Sequence, residues 1–133
     1  MPNWCTNILT VTGPAETLTR FRDQAKDPTR DTDLSLNKFC PVPKGEAFGG
    51  YYWCTRNWGC KWDVQAKLKV AAEDRLEYEF LSPWSPPVPW LKVVSQSFPE
   101  LEFWLKYDEP EQGFRGTTWA QEGFIDDNFS GYE

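Results

Sequence analysis

The tightest constraint in the chain lies between Lys61 and Phe80. Trp62, Val64, Ala66, Leu68 and Val70 alternate with Lys61, Asp63, Gln65, Lys67 and Lys69; after a short break, Leu76, Tyr78 and Phe80 alternate with Arg75, Glu77 and Glu79. A period of two places each apolar set on one face of a strand, so both runs predict half-buried strands. Their apolar faces coincide only if even residues pair with even ones, because a one-residue slip sends every side chain to the other face. A turn centred near Glu73 meets that condition. It sets Lys67 opposite Glu79 and Lys69 opposite Glu77, a charge ladder that favours an antiparallel hairpin.

The flanking segments supply what such a hairpin packs against. Residues 4–12 are β-prone and stop at Gly13-Pro14, predicting a first strand. Ala15, Leu18, Phe21 and Ala25 then recur at helical spacing, predicting an amphipathic helix over 14–26 that ends before Pro28. After the Ser82–Pro87 turn, Pro89 opens a second helix with Trp90 or Leu91, Val94 and Phe98 on one side, stopped by Pro99. Leu101, Phe103, Leu105 and Tyr107 alternate in a fourth strand. The order β-α-β-β-α-β is that of a ferredoxin-like α+β sandwich, an antiparallel sheet with two helices on one face. Residues 28–59, with Phe39, Phe48, Tyr51, Tyr52, Trp53 and Trp58 among prolines and glycines, read as an ordered aromatic-rich insertion after the first helix. The tail, 111–133, holds a further hairpin, Phe114 to Gln121 and Phe124 to Phe129 about Glu122-Gly123, that either extends the sheet or shields its open face.

At 133 residues the chain is expected to form one domain, 1–133, large enough to bury a core without disulfides or metal. Cys5, Cys40, Cys54 and Cys60 contain no Cys-x-x-Cys pair, which disfavours zinc-ribbon and thioredoxin readings and predicts reduced, semi-buried thiols. The chain has no histidine, which removes the commonest general base and metal ligand. Its net charge of −6 has the wrong sign for binding phosphate backbones, so a nucleic-acid partner is not expected. No stretch is long enough to span a membrane and no signal segment opens the chain, predicting a soluble, intracellular protein of the cytoplasm. Against these exclusions stands an aromatic content of 17%, including eight Trp.

Several runs together resemble the Api92-like/YubB family: Pro2-Asn3-Trp4-Cys5-Thr6-Asn7, Asn57-Trp58-Gly59-Cys60-Lys61-Trp62-Asp63, Trp84-Ser85-Pro86-Pro87, and Tyr107-Asp108-Glu109-Pro110 with Phe114-Arg115-Gly116. The similarity spans nearly the whole chain; it departs at Cys60, where the family usually has Thr. It implies a ferredoxin-like domain of unknown function borne by phages and plasmids, and it brings no activity, catalytic residue or cofactor.

Two Trp-containing motifs are candidates for recognition. Trp58, Lys61 and Asp63 offer a flat wall, an anion contact and an acceptor at the sheet rim; the simpler reading makes them turn and strand residues. Trp84 and Ser85 join the third strand to the second helix, which in this connectivity brings them near Trp58–Asp63, either as a proline-fixed elbow or as part of a shared aromatic cleft. Ser85 has no histidine to activate it. Asp108, Glu109 and Glu111 read as an exposed acidic turn, while Trp104 is the one ring expected outward on a central strand. RNA recognition by stacked strand aromatics is disfavoured by the neighbours Glu102 and Asp108. The expectation is a non-enzymatic binding protein that engages a host protein through an acidic aromatic surface including Trp58, Lys61, Asp63, Trp84, Ser85, Trp104, Tyr107 and Glu109. One alternative is a small-molecule or nucleotide-binding module at Trp58, Lys61 and Trp84. The other is a metal-dependent hydrolase using Asp63 and Glu109; no metal or cofactor is expected on the preferred reading.

Overall fold

A computed structural model describes residues 3–46 and 50–131; Pro2 and, in the insertion, Phe48 and Gly49 lie outside them, as do 132–133 of the tail. The chain runs β1 (Trp4–Thr12), α1 (Ala15–Ala25), two 3-10 turns (Pro28–Arg30 and Leu36–Lys38), α2 (Tyr51–Asn57), β2 (Ala66–Ala71), β3 (Arg75–Pro83), α3 (Val88–Ser97), β4 (Glu102–Glu109), β5 (Phe114–Gln121) and β6 (Phe124–Gly131). One antiparallel sheet takes the order β2-β3-β1-β4-β5-β6. Its first four strands are the ferredoxin-like arrangement, with β1 in the middle because both helical connections step over a neighbouring strand. The tail hairpin extends the sheet beyond β4.

The sheet has one covered face. Leu9 and Val11 of β1, Leu76, Tyr78 and Phe80 of β3, and Phe103 and Leu105 of β4 are buried there against Leu18, Phe21 and Ala25 of α1 and Trp90, Leu91 and Val94 of α3. Phe21 is the meeting point of the rings: its centroid lies 4.9 Å from Phe39 in a stacked pair, 5.4 Å from Phe98 and 5.7 Å from Phe103. An eleven-residue helix is marginal in water on its own, so α1 depends on this contact. The insertion is core packing. Leu34, Leu36, Cys54 and Trp58 are buried, and the indole N–H groups of Trp58 and Trp90 donate to the carbonyls of Cys40 (2.9 Å) and Leu36 (3.1 Å). The first gives the Cys40 carbonyl a partner, and the second adds an indole to the Leu36 carbonyl, which also accepts from the Phe39 and Cys40 N–H groups at 3.2 and 3.0 Å.

The structure corrects two details of the hairpin. The second strand begins at Ala66, not at Lys61, and Trp62 is 44% exposed instead of opening the inward set. Lys67 does oppose Glu79, but a register shift between Leu68 and Val70 sets Val70 opposite Glu77 in place of Lys69. The extra residue accommodates a bulge on a strand whose other edge is already occupied: the Ala66 N–H donates to the Thr32 hydroxyl (2.7 Å), the Leu68 N–H to Asp33 Oδ2 (2.8 Å), and the Asp33 N–H to the Ala66 carbonyl (3.0 Å). No described helix is long and apolar enough to cross a membrane.

Two outcomes follow from this packing. Phe21→Ala is expected to lower unfolding free energy by about 3–5 kcal/mol in a urea titration; a loss under about 1 kcal/mol would contradict its central place. The cysteines are free thiols, and burial pushes Cys5 from its ordinary 9.0 up to about 12 and raises Cys60 as well. Both should resist a thiol reagent at pH 8 until the protein unfolds. Because the raised value belongs to the folded state, their contribution to stability is complete below pH 9 and is lost as pH rises from 9 towards 12, so the urea midpoint should fall across that window.

Candidate binding surface

The two Trp-containing motifs do meet. The Ser85 hydroxyl donates to the Gly59 carbonyl, the Trp90 N–H approaches the Trp58 carbonyl at 3.4 Å, and Lys61 Nζ lies 4.5 Å from the centre of the Trp84 ring. Gly59, at φ +90°, is required at this junction, since a Cβ there would stand 2.6 Å from Pro89 Cδ. Trp84 itself adopts φ +71°, and its N–H donates to the Asn3 carbonyl at 2.8 Å, which ties the elbow to the start of β1. Ser85 also takes part through its carbonyl, which accepts from the Ser82 hydroxyl at 2.7 Å.

The meeting is an elbow and not an open cleft. Trp58 is 2% exposed, so its ring is core and offers no wall to a ligand. Lys61 stands over Trp84 and, at 5.6 Å, over Tyr51, so the cation is already held by rings of this chain. Asp63 is committed to the fold: Oδ1 accepts from the N–H groups of Leu36 (2.7 Å) and Val64 (2.8 Å), Oδ2 from the Ser35 hydroxyl (2.6 Å) and the Asn37 N–H (3.2 Å), and Arg30 lies 3.3 Å away. A shallow hollow of about 280 Å³ remains beside Cys54, Trp58, Lys61, Trp62 and Asp63; Trp84 does not line it.

At the other end of the chain the expected acidic turn is corrected. Asp108 and Glu111 are exposed, but Glu109 is completely buried; its Oε2 accepts from the Gln112 N–H, closing the β4–β5 turn. Tyr107 is buried on the helix side, where its hydroxyl donates to Asp127 Oδ1 at 2.7 Å; burial foremost, and this bond, raise its phenol. Both oxygens of Asp63 are taken up by hydrogen bonds, whereas Glu109 uses Oε2 on one backbone N–H and keeps a buried Oε1 without a hydrogen-bond partner among the described residues; among those residues no three His, Cys, Asp or Glu side chains are arranged to hold a metal.

The face of the sheet away from the helices is uncovered among the described residues. Trp104 stands there opposite Thr10 and Trp119, 42% exposed, and its ring is 6.3 Å from that of Trp119, which in turn is 5.7 Å from Phe124. The opposite end of this surface is a groove of about 590 Å³ that opens where the chain before Ala66 leaves β3. Trp4, Trp62 and Leu81 line it with Arg30, Asp31 and Lys67, and the Trp4 and Trp62 rings meet edge-on at 6.1 Å. The sequence reading missed Trp4, Leu81 and Trp119. The signal was present for two of them: Trp4 is out of phase with Cys5, Leu9 and Val11, and Leu81 with Leu76, Tyr78 and Phe80, so strand alternation turns both to the open face.

If Asp63 is structural, Asp63→Ala should cost about 3 kcal/mol in thermal or urea unfolding, because it leaves several buried donors without an acceptor. A variant as stable as the parent would return Asp63 to the list of groups available for chemistry.

The comparisons agree with this architecture. A family model described as "Ferredoxin-like domain in Api92-like protein" matches residues 57–130, and no curated protein matches the chain. A crystal structure of a protein api92 from Yersinia pseudotuberculosis is similar over 100% of this chain and 99% of its own, with a TM-score of 0.76 at 11% sequence identity, a likeness of fold. With more than half of its length matched by that family model, the chain belongs to the Api92-like family of ferredoxin-like proteins.

Proposed function

We propose that the protein is a non-enzymatic binding module carried by a mobile element, and that it engages a host protein through the open face of its sheet. The observation that carries this reading is the set of large apolar side chains left on that face, with Trp4 37%, Trp104 42%, Leu81 49% and Phe124 62% exposed, in a chain whose Asp63 is taken up by the fold. They form two clusters at opposite ends of the face, Trp4 and Leu81 with Trp62, and Trp104 and Phe124 with Trp119; exposed apolar clusters mark contact sites, and aromatic residues dominate the energy of such contacts. The resemblance to phage- and plasmid-borne proteins supports a host protein as the partner. The acidic balance supports a basic one, because opposite charge raises the rate of encounter.

A small-molecule reading has one observation in its favour, the hollow beside Trp58, Lys61 and Asp63. It is the weaker reading because both polar groups there already have partners. Thermal-shift screening with nucleotides and small anions tests it, and stabilisation lost in Lys61→Ala would restore it.

For the protein-binding reading, the tagged protein is expected to recover a reproducible complex from host lysate. Trp4→Ala or Leu81→Ala should weaken it by more than about tenfold without lowering the melting temperature, since both side chains are exposed. No reproducible partner, or a partner indifferent to both variants, would reject the open face as the contact.

A further inference from the structure

The two edges of the sheet are treated differently. At β2 the outer backbone groups are capped by Thr32 and Asp33. At β6 there is no counterpart among the described residues. The hairpin turn Glu122-Gly123 has positive φ at both positions, 52° and 83°, and closes on the pair Gln121–Phe124. In a two-residue hairpin of this kind the closing pair exchanges both hydrogen bonds, and every second pair after it does the same. The N–H and C=O groups of Ile125, Asp127, Phe129 and Gly131 therefore point away from β5, and no described residue meets them. An edge strand of eight residues with unpaired backbone groups is a template for strand addition.

The charge distribution selects the occupant. Residues 1–107 carry thirteen acidic and thirteen basic side chains, whereas 108–133 carry seven acidic and one basic, so the whole net charge of −6 belongs to the last part of the chain. Asp126 and Asn128 stand on the open face of β6, Asp126 opposite Trp119, and Phe124 and Phe129 are each 62% exposed on the two faces of the strand. A second copy of β6 is a poor match, because pairing two such strands crowds both copies' Asp126 and Asp127 into one short ladder.

We infer that the free edge of β6 accepts an extended, basic segment of a partner protein as a seventh strand, with lysine or arginine on the open face beside Asp126 and apolar side chains on the helix side beside Ile125 and Phe129. The inference rests on the reading of the chain as a protein-binding module, and it names a second contact with its own chemistry.

The probe is a fluorescent peptide of about ten residues alternating Lys and Val, compared with the same peptide carrying Glu for Lys and with one alternating Lys and Pro. The Lys/Val peptide is expected to bind, with affinity falling as salt rises, and to slow amide hydrogen exchange at Ile125, Asp127 and Phe129. Asp126→Lys should weaken it about fivefold, and the Glu and Pro peptides should not bind. Absence of Lys/Val binding, binding without protection of β6, equal binding of the Glu or Pro peptide, or indifference to Asp126→Lys would each overturn the inference. So would a dimer in sedimentation whose β6 amides are already protected. A host complex that is lost in Leu81→Ala, alongside no binding of the Lys/Val peptide, overturns the edge inference alone. Lys/Val binding as expected, with no host complex, rejects the open face alone.

Discussion

The carboxylate of Asp63 draws together three N–H groups, one hydroxyl and one guanidinium from segments that are otherwise unrelated, the 3-10 turn at Leu36–Lys38, the turn at Pro28–Arg30 and the approach to β2. Its four hydrogen bonds hold the insertion onto the body of the molecule and stop β2 from beginning at Trp62. Everything at that end follows. With the chain diverted before Ala66, Trp62 is released to solvent, the groove opens between it and Leu81, and Lys61 is delivered onto Trp84. A charged acceptor taken up by several donors is stabilising where the same carboxylate, unpaired, would be costly to bury. A carboxylate that the sequence offers for metal or acid–base work is thus committed to holding the fold.

Most of the fold was legible because it depends on local period. β1, the two long helices, β3, β4 and the tail hairpin each announce themselves by alternation or helical spacing, and their order leaves few topologies. The failures have physical causes of their own. The alternation of Trp62 to Val70 runs on past the real strand start, because periodicity registers side-chain polarity and cannot register that Asp63 reaches Ser35, 28 residues away. Helix α2 is seven residues of which three are aromatic, with little intrinsic preference for helix, and is held by the packing of Cys54 and Trp53 instead. Glu109 was in phase with Phe103, Leu105 and Tyr107, so its period assigned it inward; the general tendency of charges to face water pointed the other way, and here the strand prevailed.

The candidate surface was legible only in part. Trp104 was placed outward from its alternation, yet its companions Trp119 and Phe124 depend on the hairpin joining β4, a long-range fact. Trp58 looked like a turn residue and is core, while Trp62 looked like core and is surface. The aromatic excess therefore does two jobs. Buried tryptophans hydrogen-bond the insertion's carbonyls and let a loop-rich segment serve as core, while the exposed rings divide between the open sheet face (Trp4, Trp104, Phe124), the chain before β2 (Tyr51, Tyr52, Trp62) and the helix side of β6 (Phe129).

The bond from the Tyr107 hydroxyl to Asp127 passes over β5 at Gly116, where any Cβ would lie 2.5 Å from the tyrosine oxygen. The Thr118 hydroxyl donates to the same Asp127 oxygen at 2.8 Å. The outermost strand is thereby stitched to β4 across its neighbour, with glycine leaving clearance for the stitch. A tug applied along β6 is carried past the hairpin turn into a strand that pairs with the central one. The most exposed element of the sheet is consequently no loose flap: force reaching it is shared by the interior.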